Sequence, residues 1–229
     1  MNKPLPAAPW FRSAGQGPGV VCFHANAGSS GQWRALMDLL APTHQVLAPD
    51  LYGSGRSPGW PSDREITLAD EVALVQPVLR AAGPGVVLVG HSYGAAVALK
   101  AALAMRGEVR AMAVYEPTLF ALIDEQSPPP NDADGIRGAV RASVAALERD
   151  DLDDAARCFI DYWSGAGTWD AMPQDRRATV APTITKIRRW AHALLNEETP
   201  TSAFAAFDVP VLLMRGTRLI DRYMAWPPG

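Results

Sequence analysis

GVVLVGHSYGAAVALKAALA, residues 85–104, is the stretch on which the fold turns. Gly85–Val89 is a continuous apolar run bounded by turn residues, the pattern of a fully buried parallel strand. An alanine-rich helical pattern over 94–106 follows at once. Between them stands Gly90-His91-Ser92-Tyr93-Gly94. The two glycines permit a sharp strand-to-helix turn, which holds a serine strained and exposed above the end of a sheet. The amide of Tyr93, opening the helix, is then directed where an oxyanion would develop. His91 adjoins the serine, but a neighbour on so tight a turn points elsewhere; it reads as a packed or hydrogen-bonded side chain.

The same alternation extends outward on both sides. Gly19–Phe23 is a short β-branched apolar run, a helical stretch runs from about Gln32 to Leu40, and Gln45–Ala48 forms a second strand. LYGSGRSPGWP follows without periodicity. Thr67 with Asp70 resembles a capping box opening a helix that reaches about Ala82, disturbed by Pro77. Ala111–Tyr115 is the strand after the alanine-rich helix. Strands separated by helices imply right-handed crossovers and a parallel sheet with helices on both faces. After Glu116-Pro117 the pattern becomes helical, with helices over Arg137–Arg149, Leu152–Trp163 and Thr183–Asn196, and βα alternation returns only at 209–214 (VPVLLM). The expected organisation is a core over 1–116, a helical cap inserted over 117–200, and a return to the core with a short atypical tail over 201–229.

Two further loops carry chemistry. His24-Ala25-Asn26-Ala27-Gly28-Ser29-Ser30 leaves the first strand and closes on Gln32-Trp33-Arg34. Acyl transfer needs two donors aimed at the developing negative charge, and this loop is the natural source of the second. Asp50-Leu51-Tyr52-Gly53-Ser54-Gly55-Arg56-Ser57 follows the next strand, and no helix opens immediately after it, which argues against a phosphate loop. With the serine turn, these stretches resemble the α/β-hydrolase superfamily. The first loop is similar to the His-Gly-Asn-Pro-x-Ser-Ser-x-x-Trp-Arg loop of its haloalkane-dehalogenase-like branch, and the second to the superfamily's Asp-x-x-Gly-x-Gly-x-Ser scaffold signature. The resemblance implies an α/β-hydrolase-type, mostly parallel sheet with a helical cap. It also implies Ser92 as nucleophile and Asn26 as the second oxyanion donor beside Tyr93. Ala25 replaces the usual glycine and would restrict the backbone there, while His24 reads as a brace for the loop. Dehalogenases of this superfamily carry aspartate where this chain has Ser92, so ester, thioester or carbon–carbon hydrolysis is favoured.

A serine hydrolase of this fold orders its triad Ser, acid, His along the chain. Glu116 stands at the carboxyl end of a strand, where ligands to this architecture gather; Asp221 is the later alternative for the acid. All four histidines, His24, His44, His91 and His192, precede the strand at 209–214, whereas the superfamily's catalytic histidine follows a further strand. Thr217–Gly229 is too short for that strand and its helices, so a C-terminal strand and helix are expected to be missing. His192, on a cap helix, is the one candidate for a substitute base. An apolar strand left at the sheet edge recruits a partner, so a homodimer through residues 209–215 is expected, with Trp226 covering part of the face.

Composition narrows the rest. Of 229 residues, 48% are hydrophobic and the formal charge is −3, which gives no footprint for nucleic acid. No apolar run reaches the length of a membrane span, and the amino terminus lacks the apolar core of a signal peptide, so a cytoplasmic protein without membrane partners is expected. Cys22 and Cys158 read as buried free thiols, and no histidine or cysteine spacing suits a metal or cofactor. The sequence therefore points to a serine hydrolase for a small apolar ester or acyl substrate, carboxylesterase-like, with Trp163, Trp169 and Trp190 lining its pocket and its activity impaired by the absent histidine. The alternative is an inactive scaffold that binds a ligand or partner in the same cleft.

Overall fold

The computed structural model describes residues 8–216. Phe11–Ala14 (β1) is followed by Gly19–Phe23 (β2), Arg34–Leu40 (α1), Gln45–Pro49 (β3), Leu68–Ala82 (α2), Val86–His91 (β4), Tyr93–Ala104 (α3) and Val109–Tyr115 (β5). The strands lie in the order β1-β3-β2-β4-β5, and all neighbours are parallel except β1 against β3. Ala121–Gln126 (α4), Asp134–Leu147 (α5), Leu152–Ser164 (α6), Thr168–Ala171 (α7), Gln174–Ile184 (α8), Ile187–Leu195 (α9) and Thr201–Ala205 (α10) then intervene. Val211–Met214 (β6) returns to the sheet beside β5, with Met112 opposite Val211 and Tyr115 opposite Met214.

Alternation along each strand sends side chains to opposite faces. Val21, Phe23, Leu47, Leu88, Met112 and Val114 pack with α2 and α3 in the main core. Val20, Cys22, Val46 and Ala48 pack on the other face with Met37 of α1. Helices thus cover both faces. The Thr67–Asp70 capping box forms in full, Thr67 Oγ1 accepting from the Asp70 N–H while the Asp70 carboxylate accepts from the Thr67 N–H. The α2 helix runs on through Pro77.

The mostly parallel sheet is as expected, one of its strands lies outside the expected set, and two other expectations need correction. The sheet has an antiparallel edge strand, β1, that no apolar pattern announces: FRSA has only half-buried and exposed positions. The helix expected over Thr183–Asn196 is the end of α8 and all of α9. The Thr183 and Thr185 hydroxyls bond back to the carbonyls of Val180 and Pro182, competing with the helical ladder as it breaks. Cys22 is buried, which pushes its thiol up to about 12, but Cys158 is only half-buried.

Among the described residues, strand β6 is the other edge of the sheet. Val211, Leu212 and Leu213 are 42%, 59% and 38% exposed. The carbonyls of Pro210 and Met214 accept from Met112 and Glu116 of the β5 side. By alternation, Val211 and Leu213 turn their N–H and C=O groups away from the sheet. The partner expected for this edge was a second copy; residues 217–229, including Asp221 and Trp226, lie outside the described residues.

Candidate active site

The register brings three strand ends together. Phe23 of β2 lies opposite Gly90 of β4, and His91 lies opposite Tyr115 of β5. Residues just past them therefore gather at the carboxyl edge of the sheet, where α/β folds place their ligands. Ser92 has φ 54 and ψ −118, a conformation that costs an L-residue about 1–3 kcal/mol. What holds it there is close packing that only glycine permits. A Cβ on Gly90 would lie 2.5 Å from the Ala95 Cα, and one on Gly94 would lie 2.2 Å from the Phe23 carbonyl oxygen. The turn is pinned further by the Ser92 N–H donating to the Tyr115 carbonyl at 2.9 Å. Tyr93, as first residue of α3, has an amide without an intrahelical acceptor.

The loop after β2 is braced from beneath. The buried His24 ring accepts from the Leu51 N–H at Nε2 (3.1 Å) and meets the Ala25 carbonyl at Nδ1 (2.8 Å), which fits a neutral ring with its proton on Nδ1. Burial lowers its pKa, in agreement. The Ser30 N–H donates to Asp50 Oδ1 at 2.6 Å and the Arg56 N–H to Oδ2 at 2.9 Å, so Asp50 ties both loops together. Gly55 is obligatory beside it, since a Cβ there would fall 2.1 Å from Oδ2. His24 and Asp50 have the scaffold roles read from the sequence. Ala25 adopts ordinary backbone; the positive φ of this loop, 57, falls at Ala27.

A cavity of about 460 Å³ opens above the turn. Ser92, Asn26 and Glu116 all line it, so three of the expected site residues share one space. Glu116 has φ 49; its Oε1 accepts from the Gly216 N–H at 3.0 Å, and its Oε2 lies 3.8 Å from His91 Nε2. Tyr93 sends its side chain away from the cavity, into the core, where its hydroxyl donates to Glu71 Oε1 at 3.1 Å. His192 is not brought to the site. It lies on α9 beside cavity-lining Trp190, Ala191 and Leu194, but its own ring faces the Asn196 amide at 3.4 Å. Trp163 and Trp190 line the cavity as expected. Trp169 does not: it is fully buried among α5, α6, α8 and α9 residues, its indole donating to Asp153.

Of the four histidines only His91 lines the cavity, a position the sequence reading missed. Its Nδ1 meets the Gln32 side-chain amide at 3.0 Å, its ring packs on Tyr115, and burial lowers its pKa against the pull of Glu116. The packed, hydrogen-bonded role read for it is observed, but so is its place in the cavity wall, 3.8 Å from Glu116. The one available signal was its position at the strand end beside the Tyr115–Glu116 pair. Ser92 Oγ makes no hydrogen bond to any described side chain. The reading also missed Thr118 and Arg176 in the cavity wall and Glu71 behind the turn.

Known proteins with similar sequences each match less than half of the chain. The chain is 36% identical over 101 residues to lipase LipV of Mycobacterium tuberculosis (strain ATCC 25618 / H37Rv), a match covering 44% of this chain and 37% of the lipase. It is 37% identical over 106 residues to a haloalkane dehalogenase of Agrobacterium fabrum (strain C58 / ATCC 33970), covering 46% of this chain and 34% of the dehalogenase. The matched segments thus span about a third of these relatives. Among solved structures, an alpha/beta hydrolase from Sphaerobacter thermophilus DSM 20745 superposes with a TM-score of 0.65 at 25% identity, over 93% of this chain and 82% of the other. The family model for the alpha/beta hydrolase fold matches residues 18–226. With the strand order, the strained serine turn and the paired loops beneath it, this match makes the chain a member of the alpha/beta hydrolase family.

Proposed function

We propose that this chain is a serine hydrolase of the carboxylesterase type, acting on a small, largely apolar ester or acyl substrate. The observation that carries the reading is Ser92, strained at φ 54 on the floor of an apolar cavity that it shares with Asn26 and Glu116. Ser92 is the nucleophile, the amides of Tyr93 and Asn26 are the oxyanion donors, and Glu116 is the triad's acid. Phe159, Trp163 and Trp190 of the helical cap enclose the apolar part of the substrate. A serine hydroxyl becomes nucleophilic when a base within hydrogen-bond reach takes its proton, and no imidazole of this chain bonds Ser92. Turnover by the chain is therefore slow. In serine proteases, sites stripped of triad members retain about 10³–10⁴-fold acceleration over water through the oxyanion hole and binding.

The test is hydrolysis of short p-nitrophenyl esters by the purified chain beside Ser92→Ala, His91→Ala and His192→Ala. The expected result is slow turnover lost in Ser92→Ala and kept in His192→Ala. No turnover above the Ser92→Ala background would overturn the enzymatic reading. The second reading, a scaffold that binds its ligand without turning it over, is favoured by the same unpartnered Ser92 hydroxyl, and it predicts ligand binding without ester cleavage.

A further inference from the structure

The cavity is not uniformly apolar, and its polar groups are unevenly distributed. Its lining includes the Glu116 carboxylate at the sheet edge and Arg176 on α8 of the helical insertion. Arg176 forms no ion pair with any described residue; Arg141, Arg177 and Arg189 of the helical insertion form none either, but of these four only Arg176 lines the cavity. A second group is unmet. Thr118 Oγ1 faces no hydrogen-bond partner although the residue is only 7% exposed, and Thr118 lines the same cavity two residues beyond Glu116. A buried hydroxyl left without a partner is unfavourable, and a bound polar group removes that cost. Binding sites of this kind are apolar with a few placed polar groups that fix orientation.

We propose that the substrate is an apolar acyl chain whose end remote from the scissile ester carries a carboxylate, which Arg176 pairs. This rests on the hydrolase reading of Ser92 for which end reacts. Guanidinium and carboxylate match as planar forks. Glu116 at the sheet edge repels an anion, so the two charges together orient the ligand: carboxylate toward Arg176, neutral ester toward Ser92. Thr118 hydrogen-bonds a carbonyl or ester oxygen near the reacting end. A neutral chain of the same length would fill the apolar walls and leave Arg176 with water alone.

The experiment measures binding, not turnover, by titration calorimetry on Ser92→Ala with monomethyl suberate and dimethyl suberate. The two share a skeleton and one methyl ester and differ in the charge at the other end. The half-ester is expected to bind about five- to tenfold more tightly, a modest margin because Arg176 is exposed and screened. Adding Arg176→Gln is expected to abolish that preference, Arg176→Lys to keep part of it, and Thr118→Val to weaken both ligands alike. Equal binding of the two esters, a preference that survives Arg176→Gln, or no binding of either would overturn the proposal. A preference lost in Arg176→Gln, together with failure of the unmodified chain to cleave any ester, would leave the anion-pairing site intact and remove the hydrolase reading.

Discussion

The most informative perturbation is Glu71→Gln, behind the serine turn. Glu71 is 1% exposed on α2, where its Oε2 accepts from the Tyr52 N–H and its Oε1 from the Tyr93 hydroxyl, each at 3.1 Å. One carboxylate thus joins the loop after β3 to the first residue of α3. Burial raises its pKa; the hydrogen bonds from Tyr52 and Tyr93 oppose that, the charge of Asp70 adds to it, and the carboxyl is pushed from 4.5 up to about 7. Between those values the unfolded chain has released a proton that the folded chain still holds. Stability attributable to this group is therefore fully present below about pH 4.5, falls as pH rises through the window, and is lost above about pH 7. At 1.36 kcal/mol per pH unit, the fall is on the order of 3 kcal/mol.

Glutamine removes the titration and keeps most of the geometry, its carbonyl accepting from Tyr52 and its amide facing the Tyr93 oxygen. Any imperfection in those bonds shifts the variant by a constant about 1 kcal/mol at every pH. The pH-dependent part of the difference is untouched by it. His24, whose pKa burial lowers, destabilises both proteins alike as pH falls below its ordinary 6.5, so it cancels in the comparison. Urea denaturation of both proteins at pH 5, 6, 7 and 8, read by linear extrapolation, should show Glu71→Gln gaining on the parent by roughly 3 kcal/mol from pH 5 to pH 8. A flat difference, or one in which the parent gains with rising pH, would refute the reasoning.

Two further outcomes follow from the backbone. Ser92→Gly relieves the strain at φ 54, worth about 1–3 kcal/mol, against about 0.5–1 kcal/mol of added chain entropy in the unfolded state; Ser92→Ala relieves nothing. The glycine variant should therefore be about 1 kcal/mol more stable than the alanine variant in urea, and equal stabilities would show that the turn stores no strain. At the sheet edge, the N–H and C=O groups of Val211 and Leu213 pair with no described residue on either side of the exposed Leu212, and two copies of β6 can pair antiparallel about a two-fold axis there. The chain is expected to dimerise in light scattering and Leu212→Lys to be monomeric, since a charge on an edge strand blocks pairing; a parent that stays monomeric at high concentration would refute it.

The parts of the fold readable in advance were those whose geometry is local. Gly90 and Gly94 flank Ser92 because nothing larger fits against Ala95 and Phe23, and Thr67 caps α2 with Asp70 three residues on. Both are short-range demands that leave residue types at fixed spacings. Strand β1 left none, because its pairing is decided by β3 and its own side chains stay half in water. Trp169 was misplaced for a related reason. An aromatic residue in a helical segment reads the same whether it faces a cavity or the core of the helices, and here Asp153 and the packing of α5 to α9 draw it inward.

Glu71 lies between these cases, and it shows where the sequence could have been read further. It falls three residues after Leu68 and four before Val75, inside the stripe of buried α2 positions that continues through Val78, Leu79 and Ala82. A carboxylate in an apolar stripe must find donors or give up its charge. The two donors come from Tyr52 and Tyr93, which lie in two of the three stretches that carry the family resemblance. The strained turn and the Gly-rich loop after β3 are thus not independent motifs that happen to coincide. They share one buried acid, so a change that shifts that acid's protonation acts on the amide beside Ser92 and on the scaffold loop together. Thr118 and Arg176 had no comparable signal, because the wall they form exists only once α8 and the segment after β5 are folded over the sheet edge. Local motifs locate the serine turn, and the long-range packing of the helical insertion shapes the cavity above it.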